Sequence, residues 1–449
     1  MWDKLRSAFT AVQHESFILK FAQGKLAAPS WPVQLNSAAA FAVPGLALWL
    51  ASGYSYGAVL LLVGALFTLK RWVLEPQRSL TWWFAVCMFA MALMWVAMAD
   101  PAERMGQWDR PSKFILAIPC LLYATVFPPK PRAFVWGLIV GCIGAGAIAI
   151  WQVHGLGEWR ATGRTNAIQY GNLALLLAVL LAVFLAAIHK QLHWGEKLLA
   201  VIAIVAGLDA SVLSASRGGW LAVLVVMPFG LALLYRYRAR LFWRVVVGLM
   251  IAAGLMSVVN RDMLTARWDE MTSEIKVYDT KRDASTSVGQ RLEHWRFAWD
   301  AGREKPLLGW GVAGYLSEKQ KRVAEGKYQP AIVEYKFVHN EVLDVFVKTG
   351  LVGVAVLLWF YLLPIWMFWP TRERMRLLDA GGNPPLRRMV LAVRMCGVCV
   401  PVLFVGFGLT QVFFAHNSGI MFYLFSLILL WSMLIGLERT ARGAPAAKA

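Results

Sequence analysis

The sequence predicts an all-α polytopic membrane protein of about twelve transmembrane helices, with one large helical loop between spans nine and ten. Three observations carry this. The chain of 449 residues is 59% hydrophobic with a mean hydropathy of +0.54, more apolar surface than a soluble chain of that length can hide. Its apolar residues come in blocks long enough to cross a bilayer. Its lysines and arginines alternate between rich and poor connections.

In chain order, residues 1–35 are charged and mixed and carry no evident cleavable signal. Within them, 8–28 places Phe9, Val12, Phe17, Leu19 and Phe21 among polar residues, a pattern that suits a helix on the membrane surface. A loose solvated segment fits equally well. Spans are expected near 37–52, 55–70, 81–99, 114–127, 133–153, 167–188, 197–214, 218–235, 241–259, 341–369, 388–414 and 418–437. The fourth is short and holds Pro119, so it is expected to be tilted, broken or buried among neighbours. This divides the chain into an N-terminal segment 1–35, spans within 36–259, a loop 260–340, spans within 341–437 and a tail 438–449.

Orientation follows from the cations. One set of connections carries Lys70, Arg71 and Arg78, then Lys130 and Arg132, Lys190 and Lys197, a cluster at 236–244, and another at 372–388. The short connections between them are sparsely charged, and Arg217 stands alone in the seventh. The positive-inside rule then puts both termini in the cytoplasm. Loop 260–340 lies on the outer side and is too long to be idle. Within it 287–302 reads as a helix: Ser287-Val-Gly-Gln290 has capping-box spacing, and Val288, Leu292, Trp295 and Trp299 form an apolar stripe.

All five cysteines fall in or beside apolar blocks, so no disulfide framework is implied. The Cys396–Cys399 pair has redox or metal spacing but lies inside an expected span without further ligands, where helix packing explains it. The net charge of +19 could indicate nucleic acid; in a membrane chain it is better explained by cytoplasmic anchoring and any site built for anions.

Cations on the outer side need another reason. Arg217, in "SASRGGW", occupies a turn with almost no length, and two glycines beside it permit close approach of backbone or ligand. A snorkelling rim arginine is the plainer reading. Arg160 and Arg164, in "EWRATGRTN", serve equally as interfacial anchors, and Arg291 as a solvated helix charge. Together they suggest an anion at the outer face, and a diphosphate suits guanidinium chemistry. His339 precedes the tenth span, where the helix dipole disfavours imidazolium and leaves a ring able to accept a proton. Asn340 is placed to cap that helix, Glu341 to orient the histidine, and Gln290 to join the substrate-binding set. All of these equally polish helix ends. His416-Asn417 repeats the dipeptide at the outer end of span eleven. There is no His-Glu-x-x-His, Walker loop or Asp-x-Asp, so neither metal nor cofactor is expected.

These residues resemble a family. Arg291 followed by ten residues and Gly302 is similar to the Arg-x10-Gly pattern of O-antigen polymerases and ligases. His339-Asn340-x2-Leu343-x6-Gly350 is similar to the pattern shared by O-antigen ligases and bacterial O-oligosaccharyltransferases, and "KPLLGWGVAGY" (305–315) looks like the Pro-x2-Gly-x-Gly element between them. The resemblance is specific over 287–353 and points to a bacterial lipopolysaccharide O-antigen ligase. It implies a multi-pass inner-membrane glycosyltransferase whose loop 260–340 is periplasmic. Such enzymes move a glycan from undecaprenyl diphosphate to a terminal sugar of lipid A–core. It further implies that Arg217 and Arg291 hold the diphosphate with help from Arg160 and Arg164, that His339 takes the acceptor proton, and that the anomeric centre inverts without a metal.

An O-antigen polymerase and a protein O-oligosaccharyltransferase share the motifs. The single long loop late in the chain favours the ligase. A lipid-linked sugar transporter would place ionisable groups mid-span, where Asp209 is the one evident acidic residue.

Overall fold

The computed structural model describes residues 30–100, 108–216, 218–220, 261–281, 283–379 and 383–443, with single positions between 235 and 258. All regular structure among them is helical. The helices are α1 (Trp31–Leu46), α2 (Gly53–Phe67), α3 (Leu69–Val73), α4 (Ser79–Met98), α5 (Asp109–Val126), α6 (Pro131–Ile150), α7 (Ala167–Ile188) and α8 (Trp194–Leu213). After these come α9 (Arg261–Lys281), α10 (Ser287–Glu304), α11 (Gly311–Ala324), α12 (Glu341–Phe368), α13 (Arg372–Asp379), α14 (Pro384–Gly408) and α15 (Asn417–Ala441).

Local chemistry places several of these ends. Asn166 accepts from the Gln169 amide at the start of α7, and Asn383 from that of Leu386 at the start of α14. At the start of α8, His193 and Glu196 form a reciprocal capping box. Prolines stand in the first turn of α6 and α14, where their missing N–H costs nothing.

Among the described residues six helices, some with the residues that continue them, are long and apolar enough to cross a membrane: Ser79–Met98, Pro131–Gly155, Ala167–Gln191, Glu341–Arg376, Pro384–Gly408 and Asn417–Ala441. The other described blocks expected to span are helical but shorter or more polar. Among them α5 holds Pro119 and α2 is a 15-residue apolar helix. The surface helix at 8–28 lies outside the described residues, as do the expected spans 218–235 and 241–259 apart from 218–220 and single positions. α15 is buried around almost its whole circumference, which makes it the axis of the bundle.

The helices run up and down between two faces. At one, the Tyr123 hydroxyl donates to the Pro32 carbonyl, and Arg78 pairs with Glu438. At the other, Ala161 N–H donates to Leu213, Arg110 Nε to Ala415, and the Ser418 hydroxyl to Gln169. α10, α11 and the approach to His339 lie at the second face, where Phe337 packs beside His416 and His339 beside His294.

The loop segment shares a small core with the start of α12: Phe297, Tyr315, Tyr328, Ile332 and Val338 pack with Val347. Phe297 meets Tyr315 and Tyr328 edge-on, at centroid separations of 5.6 and 5.2 Å. α10 begins where its pattern predicts, but its cap is Thr286, whose hydroxyl accepts from Gly289 N–H, rather than a box opened by Ser287. Its buried face is also rotated by about one residue. Glu293, His294, Phe297, Ala298 and Ala301 turn inward, while Trp299 is 53% exposed. The segment's core and α12 compete for α10, so the apolar stripe is not the face that becomes buried.

Three glycines dock the segment on α12. A Cβ on Gly302 would lie 2.5 Å from the Phe346 ring. One on Gly309 would lie 2.4 Å from the Lys348 carbonyl carbon, and one on Gly350 2.2 Å from that of Leu307. Gly350, with φ 65° and ψ −160°, opens α12 in mid-course, a conformation essentially confined to glycine. Loop backbone takes over the freed groups: Trp310 N–H donates to Val347, Leu351 N–H to Pro306 and Val352 N–H to Leu307.

Candidate active site

His339 stands where the loop segment turns into α12. The approach to it is tied down from both sides. Lys319 of α11 donates to the Tyr335 carbonyl at 2.5 Å, and Lys348 of α12 to that of Lys336 at 3.2 Å. Val338 N–H donates to Asp344, whose carboxylate also receives Lys348 at 2.7 Å. Asn340 caps α12 through the Leu343 amide and reaches across to the Leu409 carbonyl. Between these fixed points His339 adopts φ 59°, a left-handed conformation costing about 1–2 kcal/mol in a residue with a side chain. The surrounding bonds hold it there, and such forced residues concentrate at working sites.

The ring's tautomer follows from its partner. Gln411 Oε1 accepts from the Val412 amide, so it is the oxygen of that side chain that faces His339 Nδ1 at 3.0 Å. Nδ1 therefore carries the proton and donates, which leaves the lone pair on Nε2. Burial pushes the His339 pKa below its ordinary 6.5. The Gln411 bond and Asp344 oppose that, and the positive charges of Arg291 and Lys319 reinforce it. The dipole argument thus has the right direction, but burial is the main cause.

Around His339 the site is aromatic and cationic. Its ring meets Tyr335 at 5.3 Å and His294 at 5.8 Å, both edge-on. His294 is fully buried with neither ring nitrogen hydrogen-bonded, and burial plus nearby lysines lowers its pKa to about 3. Lys319 is also fully buried, and burial brings its pKa down to about 8. His416 packs beside Phe337 at 6.3 Å, its pKa lowered to about 4 by burial, with Arg110 adding to the shift. Arg110 lies over Trp95 at 4.9 Å and over Phe337 at 5.7 Å.

The residues singled out from sequence fare differently. His339, Asn340, Arg291 and His416 come together at this corner. Glu341 does not touch His339: its carboxylate turns into the bundle and accepts from the Phe413 and Phe414 amides. It thereby holds the α14–α15 connection that carries Gln411, so the orienting role expected of it belongs to Gln411. Gln290 donates to the Ala331 carbonyl and fastens the loop segment to itself. Arg160 lies over the Trp159 ring at 4.5 Å. Arg164 is exposed, and its amide donates to Leu48; the turn holding both is organised by Gln152, which accepts from Thr162 and Gly163. Arg217 lies outside the described residues. Its neighbours bear on the site: a Cβ on Gly218 would collide with the Thr410 hydroxyl, and one on Gly219 with the Asn172 side chain. Thr410 directly precedes Gln411.

Sequence reasoning missed Gln411, His294, Lys319, Lys348, Tyr335 and Arg110. Arg110 shared the one available signal, a cation in a short outer connection. The others are ordinary residues until the chain folds.

Comparison with known proteins adds two findings. Residues 202–358 match the O-antigen ligase family, a stretch that contains α10, α11, His339 and Gly350. An uncharacterized protein of Haemophilus influenzae is 26% identical over 380 residues, which cover 83% of this chain and 91% of that one.

Proposed function

From the match of residues 202–358 to the O-antigen ligase family and the geometry at His339, we propose that the chain is a ligase acting on lipid-linked glycans. It would move O-antigen glycan from undecaprenyl diphosphate to a terminal sugar of lipid A–core at the periplasmic face of the inner membrane. The observation that carries this reading is the His339–Gln411 hydrogen bond. It leaves a basic Nε2 beside Arg291 and Lys319, the two cations that act on the ring.

In the proposed reaction, His339 Nε2 takes the proton of the acceptor hydroxyl as that oxygen bonds to the donor's anomeric carbon. The carbon–oxygen bond to the diphosphate breaks on the opposite side, so configuration inverts. Undecaprenyl diphosphate leaves with the electron pair and His339 keeps the proton until solvent removes it. Arg291 and Arg217 grip the diphosphate, and Arg160, Arg164 and Arg110 help to stabilise its growing charge. The reading assigns the chemistry to side chains, with no metal or cofactor. Donor and acceptor both arrive from the bilayer, which fits a site at the rim of α12 and α14.

The test uses purified protein in nanodiscs with a chelator, undecaprenyl-diphosphate glycan and lipid A–core. Glycan on lipid A–core is the expected product. Lengthened donor without acceptor would make it a polymerase. Label on a Ser/Thr-rich protein supplied in parallel would make it an oligosaccharyltransferase. A folded sample that transfers to nothing would revive the transporter reading.

A further inference from the structure

A second charged site lies at the opposite face of the bundle. Between the ends of α12 and α15 and the start of α4 is a cavity of about 190 Å³ lined by Arg78, Arg374, Arg394 and Arg442, with Trp431 beside them. Glu438 is the one carboxylate in that lining. It is shared: Arg78 binds one oxygen at 2.7 Å and Arg394 the other at 2.5 Å. Four cations against one anion leave a net charge of +3 (4 − 1) around a recess in an apolar bundle.

Part of this has a local explanation. Arg374 donates to the carbonyls of Trp366 and Trp369, and Arg394 to those of Met367 and Phe368, so the two arginines cap the end of α12. Capping satisfies carbonyl dipoles but supplies no counter-charge. Arg394 is 4% exposed, and its Nε has no hydrogen-bond partner. A buried guanidinium with a spare donor beside a cationic recess is costly unless an anion enters.

The position selects the anion. His416 and Glu438 stand at opposite ends of α15, roughly 30 Å apart at helical rise, so this recess is distinct from the His339 site. It sits at the ends of membrane-length helices, the depth at which lipid phosphates lie. An apolar seam leads away from it: Trp83 of α4 meets Trp359 of α12 at 6.3 Å, and Leu362 and Trp366 are exposed on the same helix. Arg374 lies over the Trp366 ring at 5.7 Å, joining seam to cavity.

We propose that this cavity binds the phosphate of an anionic phospholipid, with the acyl chains lying along the α4–α12 tryptophan seam. Arg374 and Arg442 grip the phosphate oxygens, and Arg394 closes the site from below. The proposal needs the bundle to sit in a bilayer and does not depend on the chemistry at His339.

Native mass spectrometry on the full-length protein in mild detergent, with phosphatidylglycerol or phosphatidylcholine added, tests it. The expected result is selective retention of phosphatidylglycerol and a raised unfolding temperature. R374Q/R442Q should lose that retention roughly thirtyfold, on the scale of two arginine–phosphate contacts, and R374K/R442K should keep most of it. Equal retention of both lipids, or an unchanged double variant, overturns the proposal. Inorganic phosphate giving the same stabilisation in phosphatidylcholine micelles would also overturn it, in favour of a soluble phosphate ligand. Should R374Q/R442Q fail to fold, wild-type lipid selectivity and the exposed single change R442Q decide the matter.

Discussion

At the scale of single residues, the site depends on how one imidazole is held. His339 donates from Nδ1 to Gln411 and is half-buried beside cations that disfavour its charged form, which leaves Nε2 free to accept a proton. His339→Ala should lower turnover by roughly 10² to 10⁴ with donor binding largely intact; near-wild-type turnover in the purified variant would falsify the general-base role. Gln411→Leu should reduce kcat, leave donor affinity unchanged and alter the acid limb of the pH profile, since it removes the bond that fixes the tautomer. A purely structural role for Gln411 would lower stability without moving that limb. His294 makes a separate prediction. Unfolded it takes a proton near 6.5, and folded only near 3. Between those values the unfolded state holds the extra proton, so acidification below 6.5 destabilises the fold, by about 1.4 kcal/mol per pH unit. His294→Leu should flatten the slope of thermal unfolding against pH between 7 and 5; an unchanged slope would assign the acid sensitivity elsewhere.

At the scale of elements, the motif glycines are better explained by docking than by chemistry. Gly350 breaks α12 and meets the Leu307 backbone, which cannot move aside. Gly302 faces the Phe346 ring, which can. Gly350→Ala is therefore expected to cost at least about 3 kcal/mol and to abolish activity. Gly302→Ala should cost roughly 1–2 kcal/mol and leave partial activity. Thermal unfolding and turnover of the two variants check that ranking. The Asp344–Lys348 pair within α12 is almost wholly buried, so Asp344→Asn strands a lysine and should cost about 3–5 kcal/mol. Replacing both residues by leucine and methionine should cost far less. The start of α10 and the Asn340 cap were legible because a polar residue before an apolar run has few other uses. The buried face of α10 was not legible, because two partners compete for that helix.

At the scale of the whole molecule, the described cation-rich connections near Arg78, Lys130, Lys190 and Arg387 gather at the face of the bundle that holds Glu438, away from His339. Arg132 lies at the face of the chain's first described helix start, Lys327 at the face of His339, and both are exposed. Cysteines placed at the two positions should react with an impermeant maleimide from opposite sides of the membrane. The five native cysteines are buried or half-buried and should contribute little background. Reaction of both from the same side would overturn the up-and-down arrangement. The arginine-lined cavity belongs to this scale too, since its residues come from positions 78 to 442 and no stretch of sequence announces it.

The sequence by itself determined the helical class and most of the described helix positions, and it singled out the segment from Arg291 to Gly350 by its motif spacing. These are local properties: apolar block length, capping residues, and motif spacing along one chain. Only the tertiary structure decided that Gln411 rather than Glu341 orients His339, that Gln290 fastens the loop, and that His294, Lys319 and Arg110 complete the surroundings. It also turned α10 about its axis and joined four distant arginines around Glu438. The physical reason is the same throughout. Hydrogen-bond partners and buried charges are chosen by contacts between residues far apart in the chain, and helical periodicity records which face is apolar without saying what that face will meet.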